Sequence, residues 1–499
     1  MGRERTSLAP PGPERLIASL GAAFAVCIVL AAGMLGYWGL IRGPELVARA
    51  DNPRWIEQER RIRRGSILDR HGRPLVQSEP GPLRTWKRVY LAPEAAPVVG
   101  YASIHLGTGG IEDAYNAELR GEWAGGAPGT LIGQLRADLM PRAREGVSVT
   151  LTLDQDLQRA ASQALAGRVG AVVLLDAQRG DVLAMASQPT YDPNQIEAQW
   201  SSLAYGLDKP MLNRGAQGLY PPGTIFQTVT LAAAVEQGLA RPDTAHRDET
   251  GIVLSVDPPL ACPVDPPAVS FTLSEAFRWP CSVIFGRLGL ELGPVRLADA
   301  ARQLGIGQAA SLPIGVSTGE LLQEGPWSAS MTGRTAMGQG DLLVTPLDMA
   351  LVMSAIANGG QRPTPRLVLV VGGEPAPEPE LHHALHPESA ALVGQVLADA
   401  YQAGAAGTGL RPAGIAGLAR AVASGVPGAP DHAWFVGYAP AGGADAPADA
   451  PRYAVAVIVE HADDAWGVAA PIGVRMLELA QQAESSGTSG HRLSYGPDL

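Results

Sequence analysis

Tyr220-Pro-Pro-Gly-Thr-Ile-Phe-Gln227 is the stretch on which the reading of this chain turns. Pro-Pro-Gly breaks any preceding element, and after it Phe226, Val229 and Leu231 fall at helical spacing. A helix is therefore expected to start at about Thr224. A side chain at such a start lies beside free backbone N–H groups and the positive end of the helix dipole. The hydroxyl of Thr224 suits two roles. It is a good N-cap, and it is a nucleophile if a partner can take its proton. Gln227 follows three positions later, about one turn along the same face. Its amide has no useful basicity.

A substitute base is hard to find elsewhere. The chain has two lysines in 499 residues, Lys87 and Lys209, and arginine supplies the rest of its cationic charge. The formal net charge of −11 and the lack of a sustained basic face argue against nucleic acid as a partner. With 46% hydrophobic and 17% charged residues the composition is that of a globular protein, not a disordered one. Its 60 glycines and 42 prolines follow no repeat, which excludes a fibrous protein.

Residues 16–41 carry no charge and are bracketed by Arg15 and Arg42. At 1.5 Å per residue such a run spans a bilayer core of about 30 Å with some tilt. Tyr37 and Trp38 stand at its C-terminal end, where aromatic side chains favour the interface. Residues 15–41 thus read as an uncleaved anchor, since a cleaved signal peptide has an apolar core of about 7–15 residues. Local charge favours a cytoplasmic C-terminal side, because Arg42, Arg49, Arg54, Arg60 and Arg61 outnumber Arg3, Arg5 and Arg15. Cys27, inside this run, is most simply a small apolar residue. Cys262 and Cys281 are either two separate buried thiols or a disulfide, which on the chain-entropy description would be worth about 3 kcal/mol. The cysteine spacing points to no metal site, and no motif calls for a cofactor.

Several further stretches read as strands. Val149-Thr-Leu-Thr-Leu-Asp154 alternates and leads into an amphipathic helix from Gln155 to Leu165. Val169 to Asp176 and Asp181 to Ser187 form a hairpin across Gln178-Arg-Gly180, and Ala433 to Ala439 and Tyr453 to Glu460 add two strands. A helix from Val468 to Ala480 closes the unit. Strands at both ends with helices between them imply an α+β fold, with a mixed central sheet and a helical subdomain.

Three groups of residues carry a resemblance. Arg64-Gly-Ser-Ile-Leu-Asp-Arg-His-Gly-Arg-Pro-Leu75 reads as a hairpin and is similar to the box that opens the extracytoplasmic part of class B penicillin-binding proteins. Gly109-Gly-Ile-Glu-Asp-Ala-Tyr-Asn-Ala-Glu-Leu-Arg-Gly121 matches a second segment of that family. Tyr220 to Gln227 resembles its first active-site motif, Y-P-P-G-S-x-F-K. Met337-Gly-Gln-Gly-Asp-Leu-Leu-Val-Thr-Pro, Ala355-Ile-Ala-Asn-Gly-Gly360 and Ala469-Ala-Pro-Ile472 match segments that buttress the groove. The resemblance spans nearly everything beyond residue 60. It implies a serine β-lactamase-like transpeptidase fold divided into a cytoplasmic tail (1–14), a transmembrane signal anchor (15–41), a pedestal or dimerisation-like domain (42–148), a transpeptidase-like domain (149–484) and a polar tail (485–499). It also implies a single-pass protein of the bacterial cell membrane with its bulk outside the cytoplasm, against the local charge.

The resemblance further implies where catalytic groups should stand. Thr224 occupies the position of the serine nucleophile, and Gln227 that of the lysine whose amine takes its proton. The second motif, S-x-N, falls on Pro280-Cys-Ser282, where proline offers no hydroxyl and Ser282 no amide. The third, K-T-G-T, falls on Ala423-Ser-Gly-Val426, expected on a strand. There Ala423 lacks the cation, Val426 lacks the second hydroxyl, and Ser424 and Gly425 keep one hydroxyl and the glycine. Backbone N–H groups of Thr224 and Val426 would still make an oxyanion hole. The expectation is a pseudo-transpeptidase that scaffolds division or elongation proteins or senses peptidoglycan stem peptides. The alternatives are a divergent D,D-transpeptidase or carboxypeptidase acylated by β-lactams at Thr224, and a non-covalent stem-peptide receptor.

Overall fold

The computed structural model describes residues 13–42, 53–122, 145–247, 270–278, 282–319, 327–410, 414–425, 428–441 and 452–487. Two compact units divide the chain after Arg61. In the first, the helix Pro13–Gly36 runs into the wider π turn Tyr37–Arg42, and a short helix covers Pro53–Arg60. The stretch Ile17–Gly36 has a mean hydropathy of 2.3 and is long and apolar enough to cross a membrane. Its large side chains, among them Ile17, Phe24 and Leu35, are exposed around the helix. A helix apolar all round and covered by no protein is suited to lipid.

The second unit is α+β, as expected. Its central sheet has five strands in the order Ala416–Val422, His432–Ala439, Tyr453–Val459, Gly170–Asp176 and Val182–Gln188, antiparallel throughout. The hairpin between the last two turns at Gly180, whose φ of +70° suits a residue without Cβ. Every residue of the strand Tyr453–Val459 is buried, and alternation divides them between two cores. Ala454, Ala456 and Ile458 join the core that holds the fully buried helix Pro346–Ala357. Val455, Val457 and Val459 face Leu157, Ala161, Met476 and Leu477 on the other side. The closing helix is longer than its sequence pattern suggested, running Ala470–Gly487 after a π turn at Ala465–Ala469.

A second, six-stranded sheet builds the base. Its order is Glu374–Pro375, Val368–Val371, Val149–Leu151, Ile67–Leu68, Pro74–Pro80, Trp86–Tyr90, and its one parallel pairing joins Ile67–Leu68 to Val149–Leu151. Strands from before residue 100 and after residue 360 thus share a sheet. The hairpin read from Asp69-Arg-His-Gly72 is present: Asp69 Oδ1 accepts from the backbone of His71 and Arg73, and Gly72 takes φ +79°. Beneath this sheet Glu112 is fully buried and accepts from Arg64 Nη2 at 2.7 Å and Arg88 Nε at 2.6 Å. Burial alone would raise its carboxyl, but the charges of Arg88 and Arg64 outweigh it and hold the group below the ordinary range.

The helical subdomain comprises Gln227–Glu236, Leu273–Arg278, Ser282–Gln303 and Ala329–Ala336. Gly293 and Pro294 interrupt the third helix, where Gly293 leaves the helical region at φ +78°. Gly289 lets that helix cross Ala329–Ala336 closely, because a Cβ there would come within 2.1 Å of the Ala336 Cβ.

Candidate functional site

The segment Tyr220 to Gln227 is held from every side. Tyr220 exchanges backbone hydrogen bonds with Val344, both at 2.9 Å, and its hydroxyl donates to Glu460 Oε1 at 2.8 Å. Arg214 Nε donates to the same oxygen at 2.9 Å, and its terminal nitrogens reach the carbonyls of Asp208 and Lys209. Burial, then the neighbouring Glu460 charge, pushes the Tyr220 phenol far above its ordinary value. It is a donor and not an acid here. Trp434 Nε1 donates to Pro221 O at 3.2 Å, and the rings of His432 and Trp434 meet Tyr220 edge-on.

Pro222 opens a 3-10 turn over Gly223–Phe226, which passes directly into the helix Gln227–Glu236. Two glycines are required here: a Cβ on Gly223, at φ +53°, would lie 2.6 Å from Val422 Cγ1, and a Cβ on Gly338 would lie 1.6 Å from the Gly223 carbonyl oxygen. Thr224 is half-buried inside this turn. The expected N-cap role is not observed, because neither the turn nor the helix has a side-chain cap bond and Pro222 already begins the turn. In a 3-10 turn side chains three apart eclipse, which aligns Thr224 with Gln227. Gln227 is 1% exposed, and its Nε2 has no hydrogen-bond partner among the described residues, nor has Thr228 Oγ1. By contrast Thr230 Oγ1 donates to Ala336 O at 2.7 Å.

The other motif positions are described in part. Pro280, Cys281 and Val426 lie outside the described residues, and with them the Cys262–Cys281 pairing and one arm of the expected oxyanion hole. Ser282 is the first residue of the helix Ser282–Gln303. The strand leading to the third motif ends at Val422, so Ala423, Ser424 and Gly425 follow its end instead of lying on it; Ala423 is exposed and Gly425 takes φ +76°. Val422 packs on Gly223 and pairs with His432, which brings the third motif beside the first.

Two residues that sequence reasoning passed over organise this edge. Arg420 Nη2 donates to Phe277 O at 3.0 Å and Nη1 to Ala419 O at 2.9 Å, tying the third-motif strand to the helix just before the second motif. Burial pulls its guanidinium down to about 10, so it stays charged at neutral pH. His432 accepts from His461 N through Nδ1 at 3.2 Å, and burial, more than any neighbour, lowers its pKa. Its position, opposite Val422 across the strand pair, was the available signal; a buried arginine donating to backbone carbonyls leaves none. The groups gathered here include a hydroxyl, an amide and backbone donors. No amine is among the described residues of the turn.

The comparisons with known proteins agree with this architecture. The penicillin binding protein transpeptidase domain matches residues 170–478, and the penicillin binding protein A dimerisation domain matches residues 64–137. The peptidoglycan D,D-transpeptidase PbpA of Mycolicibacterium smegmatis is 33% identical over 77% of this chain and 82% of its own length. MrdA of Acinetobacter baumannii, also a peptidoglycan D,D-transpeptidase, is 29% identical over 66% of this chain and 53% of its own length. The ceftriaxone acyl-enzyme complex of penicillin-binding protein A from Mycobacterium tuberculosis superposes with a TM-score of 0.74 at 27% identity, covering 85% of this chain and 99% of that one. The D,D-transpeptidase domain from Eggerthella lenta gives 0.70 at 29% identity, covering 86% and 100%. The chain belongs to the class B penicillin-binding proteins, as a homologue of the PbpA and MrdA peptidoglycan D,D-transpeptidases.

Proposed function

We propose that this protein is a membrane-anchored pseudo-transpeptidase, which keeps the family fold but no longer catalyses acyl transfer. Its role is to scaffold division or elongation proteins, or to sense stem peptides, during peptidoglycan synthesis. The observation that carries this reading is Gln227, an amide buried one turn after Thr224 where a proton acceptor is needed. The two lysines offer no replacement: Lys87 lies on a strand of the basal sheet, and Lys209 is exposed in a loop. Loss of a nucleophile or its base alone costs about a factor of 10⁶ in rate in a serine hydrolase. All three motifs, with Pro280, Cys281, Ser282 and Ala423 to Val426 along the groove, are read as degenerate together. Residues 15–41 anchor the chain, the pedestal occupies 42–148, and the transpeptidase-like domain occupies 149–484 outside the cytoplasm. Long trailing domains are translocated largely regardless of local charge.

The test is intact-mass spectrometry of the detergent-solubilised chain after prolonged incubation with penicillin G. The unmodified mass is expected; a stable adduct mapped to Thr224 would falsify the proposal. That second reading, a divergent D,D-transpeptidase or carboxypeptidase, has one specific observation in its favour. Thr224 is half-exposed, and its hydroxyl makes no hydrogen bond among the described residues.

A further inference from the structure

We propose that a cleft lined by none of the described motif residues binds the free carboxylate end of a short peptide. The cleft, of about 1230 Å³, lies between Tyr115 of the pedestal, the loop through Gln308 and Ser311, and the segments around Arg362 and His382. None of Thr224, Gln227, Ser282 or Ala423 to Gly425 lines it.

Arg362 decides the chemistry. It is 9% exposed, and its Nε donates to Gln303 O at 2.9 Å. Gly305 leaves room for its stem, since a Cβ there would lie 3.2 Å from Arg362 Cδ. Among the described residues no carboxylate pairs with it, and its two terminal nitrogens have no acceptor. The other arginines lining the cleft differ: Arg302 pairs with Asp299 at 3.0 Å, and Arg366 with Asp181 at 2.7 Å and Glu378 at 3.3 Å. Glu380 also lines the cleft, but its side chain is exposed and makes no ion pair with Arg362 among the described residues.

A buried cation without a counter-charge is costly, and burial already lowers the Arg362 pKa. An incoming carboxylate would restore the balance with two parallel hydrogen bonds. The volume exceeds the roughly 300–1,000 Å³ of ordinary small-molecule pockets, which favours a peptide over a lone ion. Gln308 and Ser311 supply donors and acceptors for its backbone. Arg362 lines the cleft, and its guanidinium offers a planar fork that a terminal carboxylate matches with both oxygens. The inference does not depend on whether the motif groove is catalytically dead.

The test is isothermal titration calorimetry of the full-length protein in detergent with acetyl-L-Lys-D-Ala-D-Ala, its C-terminal amide, and the capped acidic peptide acetyl-Ala-Glu-Ala-Glu-amide. Free-ended peptide is expected to bind at least 10-fold more tightly than either capped peptide. Arg362→Gln and Ser311→Trp should each weaken it at least 10-fold, whereas Ala423→Trp, which obstructs the motif groove, should leave it unchanged. Ser311 is exposed, so its replacement tests the cleft even if the Arg362 variant fails to fold. Loss of binding in Ala423→Trp would move the ligand to the groove and overturn the proposal. Equal binding of the amide or of the acidic peptide, unchanged binding in Ser311→Trp, or no binding of the free-ended peptide would do the same. A penicillin adduct on Thr224 would sink the pseudo-transpeptidase reading and leave this one standing.

Discussion

Glu112 and Gln227 are both buried polar side chains at positions matched to family segments, and their surroundings are opposite. Around Glu112, Arg64 and Arg88 supply charge and donors, Tyr90 Oη lies 3.3 Å from it, and Asn116 accepts from Arg64 at 2.8 Å. Around Gln227, an amide nitrogen is buried without a partner among the described residues, and Thr228 Oγ1 beside it is equally alone among them. A buried carboxylate met by two opposite charges favours one packing, even though Arg88 Nη2 is itself buried without a partner among the described residues. A neutral orphaned donor carries a desolvation cost with no charge to offset it. The difference teaches that charge, and not burial alone, decides how well a polar side chain is held. The pedestal box buries a carboxylate between two guanidiniums, and position 227 buries a neutral amide whose nitrogen no described group receives.

The comparison can be broken by substitution. Glu112→Ala leaves two arginines buried without an anion and should cost about 3–5 kcal/mol, read as a shift in the urea midpoint. Because the Glu112 carboxyl is held below its ordinary value, its contribution is complete above the unfolded pKa. It is lost as pH falls through the folded one, so acid should narrow the gap between wild type and variant. A pH-independent gap would mean that packing, not charge, makes the network. Glu460→Ala removes the shared acceptor of Tyr220 and Arg214, with an expected loss of about 2 kcal/mol on thermal unfolding. An unchanged melting temperature would show the motif turn to be held by its backbone bridges alone. Gln227→Leu should be neutral or stabilising by up to about 1 kcal/mol, since it removes the unpaired amide at similar volume. Clear destabilisation would mean that Gln227 has a partner after all, and the contrast with Glu112 would fail.

Much of this fold was legible from local patterns. The hairpin at Asp69 to Gly72 announces itself through an aspartate that can receive two backbone N–H groups and a glycine immediately after His71. The strand Tyr453–Val459 reads as a continuous apolar run because both of its faces are covered. What escaped was settled by distant contacts. Nothing near Val149 says that it pairs in parallel with Ile67, eighty residues away. The residue type of Thr224 favours a helix cap, but Pro222 begins a 3-10 turn ahead of it and places Thr224 inside the turn, and Gly223 beside Val422 leaves no room for a Cβ. The third motif ends beyond its strand, a boundary that propensity places poorly. At the site, residue identities placed Thr224 and Gln227 one turn apart, while the roles of Arg420 and His432 depended on which backbone groups the fold brought to them.

The double contact at Gly223 has a practical consequence. Its neighbours on both sides are a valine side chain and another glycine, and neither involves the side chains of residues 224 or 227. The backbone at this turn is thus set by steric necessity and not by the groups that would perform a reaction. Serine at 224 and lysine at 227 can be introduced singly or together without replacing either residue that packs on Gly223. In such variants the contribution of each group to acylation is measured by addition and not by removal.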